Sequence, residues 1–379
     1  MTDNLKKVYI DRCENYNPSE IEAIFEKRFA ELGINEKIKA GMTVVIKPNL
    51  IMKATPDAAA TTHPEVLAAV GRIVKKLGAK VLIAESSGGV YTEQTIKMIT
   101  KGCGIAEVAE RDGFEINYDT GYTQVELPHG KICRMLNVIN PYINADFIID
   151  IAKLKTHCMT QFSGATKNLF GTVPGLMKPE LHFRYPEIND FSCMLIDLAE
   201  YIKPDLCIID GIDAMEGDGP TGGNPRHMGL LFTGLSSYNV DVAASTAIGV
   251  KPMEVRMLKE ANERGLCVTS ADELEIVGEQ ISSVKANFKK PRTKNVDFGK
   301  FLPKFLQPIA KKITTPKPKI QTKNCVGCGR CAESCPQHTI KIVDHKAVIN
   351  YDNCIKCFCC HEMCPKHVID VKRFSLFNL

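Results

Sequence analysis

Residues 325–335 read CVGCGRCAESC and residues 354–364 read CIKCFCCHEMC, and each run is followed by proline. Nine of the chain's sixteen cysteines lie between Cys325 and Cys364. The shared spacing is C-x2-C-x2-C-x3-C-P. It lets three thiolates of one loop grip three corners of an iron–sulfur cubane, while the fourth cysteine crosses to a neighbouring cubane. Cys325, Cys328, Cys331 and Cys364 are therefore expected to hold one [4Fe–4S] cluster, and Cys354, Cys357, Cys360 and Cys335 a second. Structural zinc sites pair two separated C-x2-C units and do not call for a third cysteine three positions on, twice over. Using Cys359 instead of Cys360 would turn a C-x2-C step into C-x-C, so Cys359 reads as a thiol beside a cluster. A segment this short buries little apolar surface, so the clusters are expected to serve as its core and the apo form to fold poorly. Such clusters supply single-electron transfer.

Other residues could give those electrons a destination. Lys153, Lys155 and His157 occupy alternate positions of a strand end, and so share one face. Ammonium groups and an imidazole gathered there favour an anionic substrate, a carboxylate or phosphate, and could protonate a reduced intermediate. Lys167 and Asn168 follow in GATKN. The segment DGIDAMEGDGPTGG, residues 210–223, joins four carboxylates (Asp210, Asp213, Glu216, Asp218) to glycines that permit close backbone approach, and reads as a ligand-binding loop. Glu85-Ser86-Ser87-Gly88-Gly89 is a candidate anion cradle. The expected catalytic set is Lys155, His157, Lys167 and Asp210. The expected substrate-binding set is Lys47, Asn49, Glu85, Ser86, Ser87, Lys153, Asn168, Asp213, Gly222 and Gly223. The plainer alternative makes the two lysines surface charges, His157 a satisfied hydrogen-bonding group and the glycine segment an ordinary connection. His182 and Arg184, in LHFRYP, are placed to close over the crevice, and Cys158 reads as a small buried thiol. The chain has no P-loop, no G-x-S-x-G elbow and no supported dinucleotide fingerprint; Thr221 stands where an EF-hand needs its bidentate Glu. A flavin or a divalent cation stays open with no motif behind it.

Positioning these groups takes an α/β framework. Short apolar runs alternate with helical patterns up to about residue 284. Strands are expected at Thr43–Lys47, Lys80–Glu85, Phe147–Ile151, Leu206–Asp210 and Leu230–Thr233, with helices at Ser19–Leu32, His63–Leu77, Asn189–Tyr201 and Val240–Ile248. A hairpin is expected at Thr123–Leu127 and Ile132–Asn137. In an open sheet of mostly parallel strands, ligands bind where the loops at the carboxyl ends converge, and four of the segments above lie at such ends. The fold class is thus α/β, a mostly parallel sheet with flanking helices, plus a small α+β ferredoxin-like domain with two [4Fe–4S] clusters. The expected division is an α/β domain over 1–284, a basic proline-containing linker over 285–322, the two-cluster domain over 323–372 and a tail over 373–379.

The net charge of +4 hides an asymmetry, because Lys285–Lys319 carries eleven Lys or Arg against Asp297 alone, leaving −6 for the rest. The basic stretch lacks interleaved aromatics and a nucleic-acid fold, so no nucleic-acid partner is expected. It reads as a solvated linker, with a docking arm for an acidic partner as the alternative; within it FGKFLPKFLQPIAKK, residues 298–312, has an amphipathic pattern. No signal peptide and no membrane span is indicated, and a cytoplasmic protein with reduced cysteines is the expectation.

The whole chain resembles the iron–sulfur branch of the DUF362 family, through IKPNL (46–50), THP (62–64), AESSGG (84–89), KLKTH (153–157), GATKNLFG (164–171) and DGIDAMEGDGPTGG (210–223). The resemblance implies an α/β domain of unassigned chemistry joined to a two-cluster ferredoxin module. The leading functional expectation is an oxidoreductase that passes single electrons to a small anionic substrate or cofactor. The alternatives are an electron carrier or cluster-handling accessory protein that docks a redox partner, and a redox-sensing binding protein.

Overall fold

The computed structural model describes residues 3–293 and 315–372. A nine-stranded sheet organises the first of these segments. Its strands are β1 (Lys7–Arg12), β2 (Thr43–Pro48), β3 (Lys80–Ile83), β4 (Glu115–Ile116), β7 (Phe147–His157), β8 (Gln161–Ser163), β9 (Leu206–Glu216), β10 (Asn224–Gly234) and β11 (Glu275–Gly278). Across the sheet the order is β11-β1-β10-β9-β7-β2-β3-β4, with β8 added to the end of β7. Five of the eight pairings are parallel; β10 runs antiparallel to both β1 and β9, and β8 antiparallel to β7. The expected hairpin is β5 (Tyr122–Glu126) with β6 (Met135–Ile139).

Strand β7, FIIDIAKLKTH, shows why the sheet is central, since all eleven of its residues are buried. Ile149 and Ile151 join one apolar layer, Ile148, Ala152 and Leu154 the other, as period-two alternation requires when both faces are covered. Helices Pro18–Glu31 and Pro64–Lys76 cover the first face through Phe25, Phe29, Val66 and Val70. Helices Ile188–Ile202, Ser237–Ala247 and Arg256–Glu263 cover the second through Phe191, Leu195, Val240 and Leu258. The helix starts follow local chemistry. Asn17 accepts from Ser19 and Glu20 amides ahead of Pro18, and His63 Nδ1 accepts from the Glu65 amide ahead of Pro64.

Two strands run further than their apolar cores. β7 continues through Lys155 to His157 because β8 folds back on it, and β9 continues from Asp210 to Glu216 because β10 pairs with it on both sides of a bulge at His227–Leu230. The stretch expected to be a loop from Asp210 is therefore strand as far as Glu216, and only Gly217–Gly223 forms the turn. β1, β4, β8 and β11 are additions to the expected strands, as are helices Glu93–Gly102, Ile105–Asp112, Met177–Arg184 and Arg256–Glu263 to the expected helices.

The C-terminal module pairs β12 (Lys317–Ile320) with β15 (Ile369–Lys372) and β13 (Ile340–Val343) with β14 (Lys346–Ile349), around the short helices Arg330–Glu333 and Cys359–Glu362. Its core is Ile340, Ala347, Val368 and Ile369 together with Cys331, Cys335, Cys360 and Cys364. Both ends of the stretch read as a linker are built into structure. Ala286 and Phe288 amides donate to Ala247 and Ile248 carbonyls, Arg292 pairs with Asp218, and Lys317–Ile320 is a module strand. The amphipathic run at 298–312 and the tail at 373–379 lie outside the described residues.

Candidate functional site

Two cavities in the module sort the motif cysteines. One, with about 350 Å³ of space counting its open mouth, is lined by Cys325, Cys328, Cys331 and Cys364; the other, with about 330 Å³ on the same count, by Cys335, Cys354, Cys357 and Cys360. The remaining walls are almost wholly apolar, among them Ile320, Val326 and Ile342 in the first and Ile340, Ile349 and Phe358 in the second. Backbone amides turn toward sulfur: Gly327 and Ala347 donate to Cys325 Sγ, Thr339 to Cys335 Sγ and Val368 to Cys364 Sγ, at 3.4–3.5 Å. Burial, reinforced by neighbouring thiols, pushes Cys331 up to about 11, so that sulfur is comfortable as a thiolate only beside a cationic group. Donor set, apolar walls and N–H···S contacts fit iron–sulfur cubanes. Cys359 lines neither cavity.

Cys359 instead faces a crevice of about 710 Å³, counting its open mouth, between the module and the carboxyl ends of β2, β3 and β7. Ser334, Cys359, Glu362 and Met363 form the module's side. Asn49, Glu85, His157, Lys167, Asn168, Phe170, Lys178 and His182 belong to the large domain's side. Two glycines let the surfaces meet. A Cβ on Gly88 would stand 2.5 Å from Met363 Sδ, and one on Gly222 would stand 2.9 Å from His361 Cε1. Thr221 Oγ1 donates to the Glu362 carbonyl at 2.9 Å, and the His361 ring bridges the Asp218 and Ile369 carbonyls. Cys158, Phe358 and Val371 pack together beneath this contact.

Four lysines surround the crevice, and three are committed to protein oxygens. Lys47 pairs with Glu85, Lys155 donates to Asn49 Oδ1 (2.5 Å) and the Ala60 carbonyl (2.7 Å), and Lys178 donates to Ser86 and Ser87 oxygens. Lys167 has no oxygen partner among the described residues; its ammonium lies 4.9 Å from the Phe170 ring centroid and 6.0 Å from that of Phe191. Burial lowers Lys167, drives Lys155 well down and brings Lys178 to about 7. Burial also raises Glu85 and Glu362 and brings Asp150, which accepts from Asn168 at 2.7 Å, to about 8. His182 is stacked on Phe191 at 4.2 Å, is driven down to about 3, and leaves its buried Nδ1 without a partner among the described residues.

His157 is held in one tautomer. Its Nδ1 accepts from the Met159 and Thr160 amides at 3.1 and 3.4 Å, so the ring proton sits on Nε2, which faces Glu362 Oε1 at 3.4 Å. Burial, then Lys167 and Lys155, keep the ring neutral. The contact with Glu362 is therefore not an ion pair, and that buried Oε1 makes no hydrogen bond among the described residues. Burial keeps the His157 ring neutral, and raises Glu362 and lowers Lys167 and Lys178 beside it in the crevice lining.

Of the expected site residues, Asn49, Glu85, His157, Lys167 and Asn168 line the crevice, and Lys47 and Lys155 stand behind it, bound to Glu85 and Asn49. Ser86 and Ser87 act through their oxygens on Lys178. Asp210 and Lys153 form a separate, fully buried ion pair at 2.9 Å, which also engages Tyr16 and the His63 amide. Asp213 turns outward to His227 at 2.8 Å. Gly222 meets the module, as described, and Gly223 packs on Met215 and Glu216. Lys178, Glu362 and Met363 are the functional candidates that residue spacing did not single out. An acid between two motif cysteines was the one available signal for Glu362.

The chain belongs to the DUF362 family: residues 44–246 match the model described as a domain of unknown function (DUF362), and residues 317–365 match a 4Fe-4S dicluster domain. The C-terminal module is accordingly an iron–sulfur electron-transfer unit. The thylakoid-associated protein sll1697 of Synechocystis sp. (strain ATCC 27184 / PCC 6803 / Kazusa) is 29% identical over 311 residues, 80% of this chain and 93% of that protein. Among solved structures, the lactate racemase apoprotein from Thermoanaerobacterium thermosaccharolyticum aligns over 55% of this chain and 52% of its own at 16% identity with a TM-score of 0.36, too distant to bear on function. No helix among the described residues is long and apolar enough to cross a membrane.

Proposed function

We propose that the chain is an iron–sulfur oxidoreductase that delivers single electrons to a small anionic substrate or cofactor in the crevice between the module and the sheet. The observation that carries this reading is a shared wall. Ser334 and Cys359 line the crevice, and each is the sequence neighbour of a cysteine lining the second cavity, Cys335 and Cys360. In the same reading Cys325, Cys328, Cys331 and Cys364 hold one [4Fe–4S] cluster and Cys335, Cys354, Cys357 and Cys360 the other. When bound, the clusters supply electrons one at a time.

The chain's own residues supply the rest. Lys167 offers an anion a half-buried ammonium that no protein oxygen among the described residues claims, and an arriving carboxylate or phosphate would restore the protonation that desolvation depresses. Asn49 and Asn168 hydrogen-bond each other at 2.9 Å at the crevice edge and orient the ligand's polar groups. Phe170 and Met363 exclude water along the apolar walls. Glu362, whose carboxyl burial raises above its ordinary range, stands beside the crevice with its Oε1 3.4 Å from His157 Nε2. A cytoplasmic setting, where thiols are kept reduced, is part of this reading.

Anaerobic reduction of the holoprotein with dithionite, followed by a screen of small carboxylates and phosphates for reoxidation of the clusters, tests the reading. One anion is expected to reoxidise them, with Lys167→Met raising its half-saturating concentration about tenfold or more, the order expected for loss of a charge-assisted contact. If no anion reoxidises the clusters, or if Lys167→Met leaves the concentration dependence unchanged, the crevice is not the electron's destination.

A further inference from the structure

Several polar side chains lining the crevice are already claimed by the protein, and those left over say what a ligand must bring. Asn49 and Asn168 bond each other, Glu85 holds Lys47, Lys178 donates to Ser86, and Ser334 donates to the Arg330 carbonyl. Ser163, Lys167, His182 and Glu362 also line the crevice, yet none of their side chains makes a hydrogen bond among the described residues. His182 is only 3% exposed, and a polar group so deeply buried is costly to leave unpaired.

His182 and Lys167 stand on one aromatic platform. The His182 ring stacks on Phe191 at 4.2 Å and meets Phe170 edge-on at 5.8 Å, while the Lys167 ammonium lies 4.9 Å from the Phe170 centroid and 6.0 Å from that of Phe191. The same ammonium is near enough to Glu362 to oppose the rise that burial imposes on that carboxyl. Burial drives His182 down to about 3, so its ring is neutral and has one donor and one acceptor nitrogen. A hydroxyl can satisfy either nitrogen, because it both donates and accepts. The other walls are apolar, with Leu50, Ile51, Phe170, Pro179, Pro220 and Met363 among them. A two-carbon acid would leave these surfaces to water, whereas a six-membered ring covers them, and about 710 Å³ counting the open mouth has room for one.

We infer that the crevice takes an aromatic carboxylate bearing an uncharged hydroxyl, with the carboxylate at Lys167, the ring between the apolar walls and the hydroxyl at His182. Ser163 and Glu362 are further partners for either polar group. The inference rests on the proposed function only in taking this crevice as the ligand's place. It concerns binding, and no bond is made or broken in it.

Calorimetry on the oxidised holoprotein, with acetate, benzoate and the three monohydroxybenzoates as probes, tests it. At least one hydroxybenzoate is expected to bind about tenfold tighter than benzoate, the scale of one hydrogen bond to an otherwise unpaired buried group, and benzoate about tenfold or more tighter than acetate. His182→Phe keeps a ring stacked on Phe191 but removes both nitrogens, and is expected to bring that hydroxybenzoate to the affinity of benzoate. Lys167→Met is expected to weaken the two by a similar factor. Iron content and the near-ultraviolet spectrum check the fold of each variant, and the wild-type series decides even where a variant does not fold. The inference is overturned if no hydroxybenzoate binds tighter than benzoate, if acetate binds as well as benzoate, or if folded His182→Phe keeps the preference for the hydroxyl. Because binding is read without reduction, the two readings fail separately. A hydroxybenzoate that binds while no anion reoxidises the clusters removes the electron-delivery reading and leaves this one; reoxidation by an anion of another class, with no preference for the hydroxyl, does the reverse.

Discussion

Lys153 and Asp210 are both fully buried and 2.9 Å apart, and each has further polar partners, so neither charge has water to fall back on. Removing one partner leaves the other as an uncompensated buried charge, which costs about 3–5 kcal/mol. Lys153→Met is therefore expected to lower the denaturation midpoint in urea by that equivalent, whether or not a ligand is present; a loss below 1 kcal/mol, on the scale of an exposed pair, would refute the structural role. Lys178 behaves differently, because burial lowers it to about 7. Its ammonium is present below that value and lost above it, so affinity for an anion is expected to fall as pH rises through about 7, as measured by calorimetry on wild type and flattened in Lys178→Met. The sign for stability is opposite. The folded state binds this proton less tightly than the unfolded chain, so this group's contribution to stability rises with pH from about 7 to the ordinary lysine range. Residue types were readable where chemistry is local: a lysine or carboxylate at a strand end announces itself. Which lysine meets which carboxylate was not readable, because Asp210 is claimed by Tyr16 and His63, more than a hundred residues away in sequence.

The short helix Ala165–Asn168 carries both Lys167 and Asn168, yet four residues cannot hold a helix by themselves. Asp241, from helix Ser237–Ala247, accepts from the Ala165 amide at 2.7 Å and the Thr166 amide at 3.0 Å, and so anchors the first turn from outside. Asp241→Asn keeps the shape but replaces one acceptor by a donor. It is expected to weaken anion binding severalfold while iron content and the near-ultraviolet spectrum of the large domain stay as in wild type, and unchanged affinity would show that the turn holds without this anchor. Strand extent is where pattern reading fell short. Phe147–Ile151 and Leu206–Asp210 were legible as apolar runs, but Lys155–His157 and Asp213–Glu216 are polar or glycine-flanked and resemble turns. They are strands because β8 and β10 offer partners, a tertiary pairing that local propensity does not encode. The same extension carries His157 out to the module.

At the scale of the molecule, the module's core is its own cysteines, so cluster removal is expected to unfold residues 317–372 while the nine-stranded sheet keeps its protection. Hydrogen exchange before and after oxidative iron chelation checks this. Amides of β12–β15 should exchange as in an unfolded chain, those of β7 and β9 should remain slow, and a module still protected without iron would contradict it. Two units and their cysteine motifs were legible in the chain from spacing alone. Their mutual fit was not, because it depends on Met363 entering beside Gly88 and His361 beside Gly222, close approaches that only the folded shapes define.

That fit has a consequence for the order of events in the cell. One wall of the crevice is made of Ser334, Cys359, Glu362 and Met363, all from the module expected to need iron to fold. On the proposed function, a newly synthesised copy without its clusters would have half a binding site, so substrate capture would report on cofactor assembly.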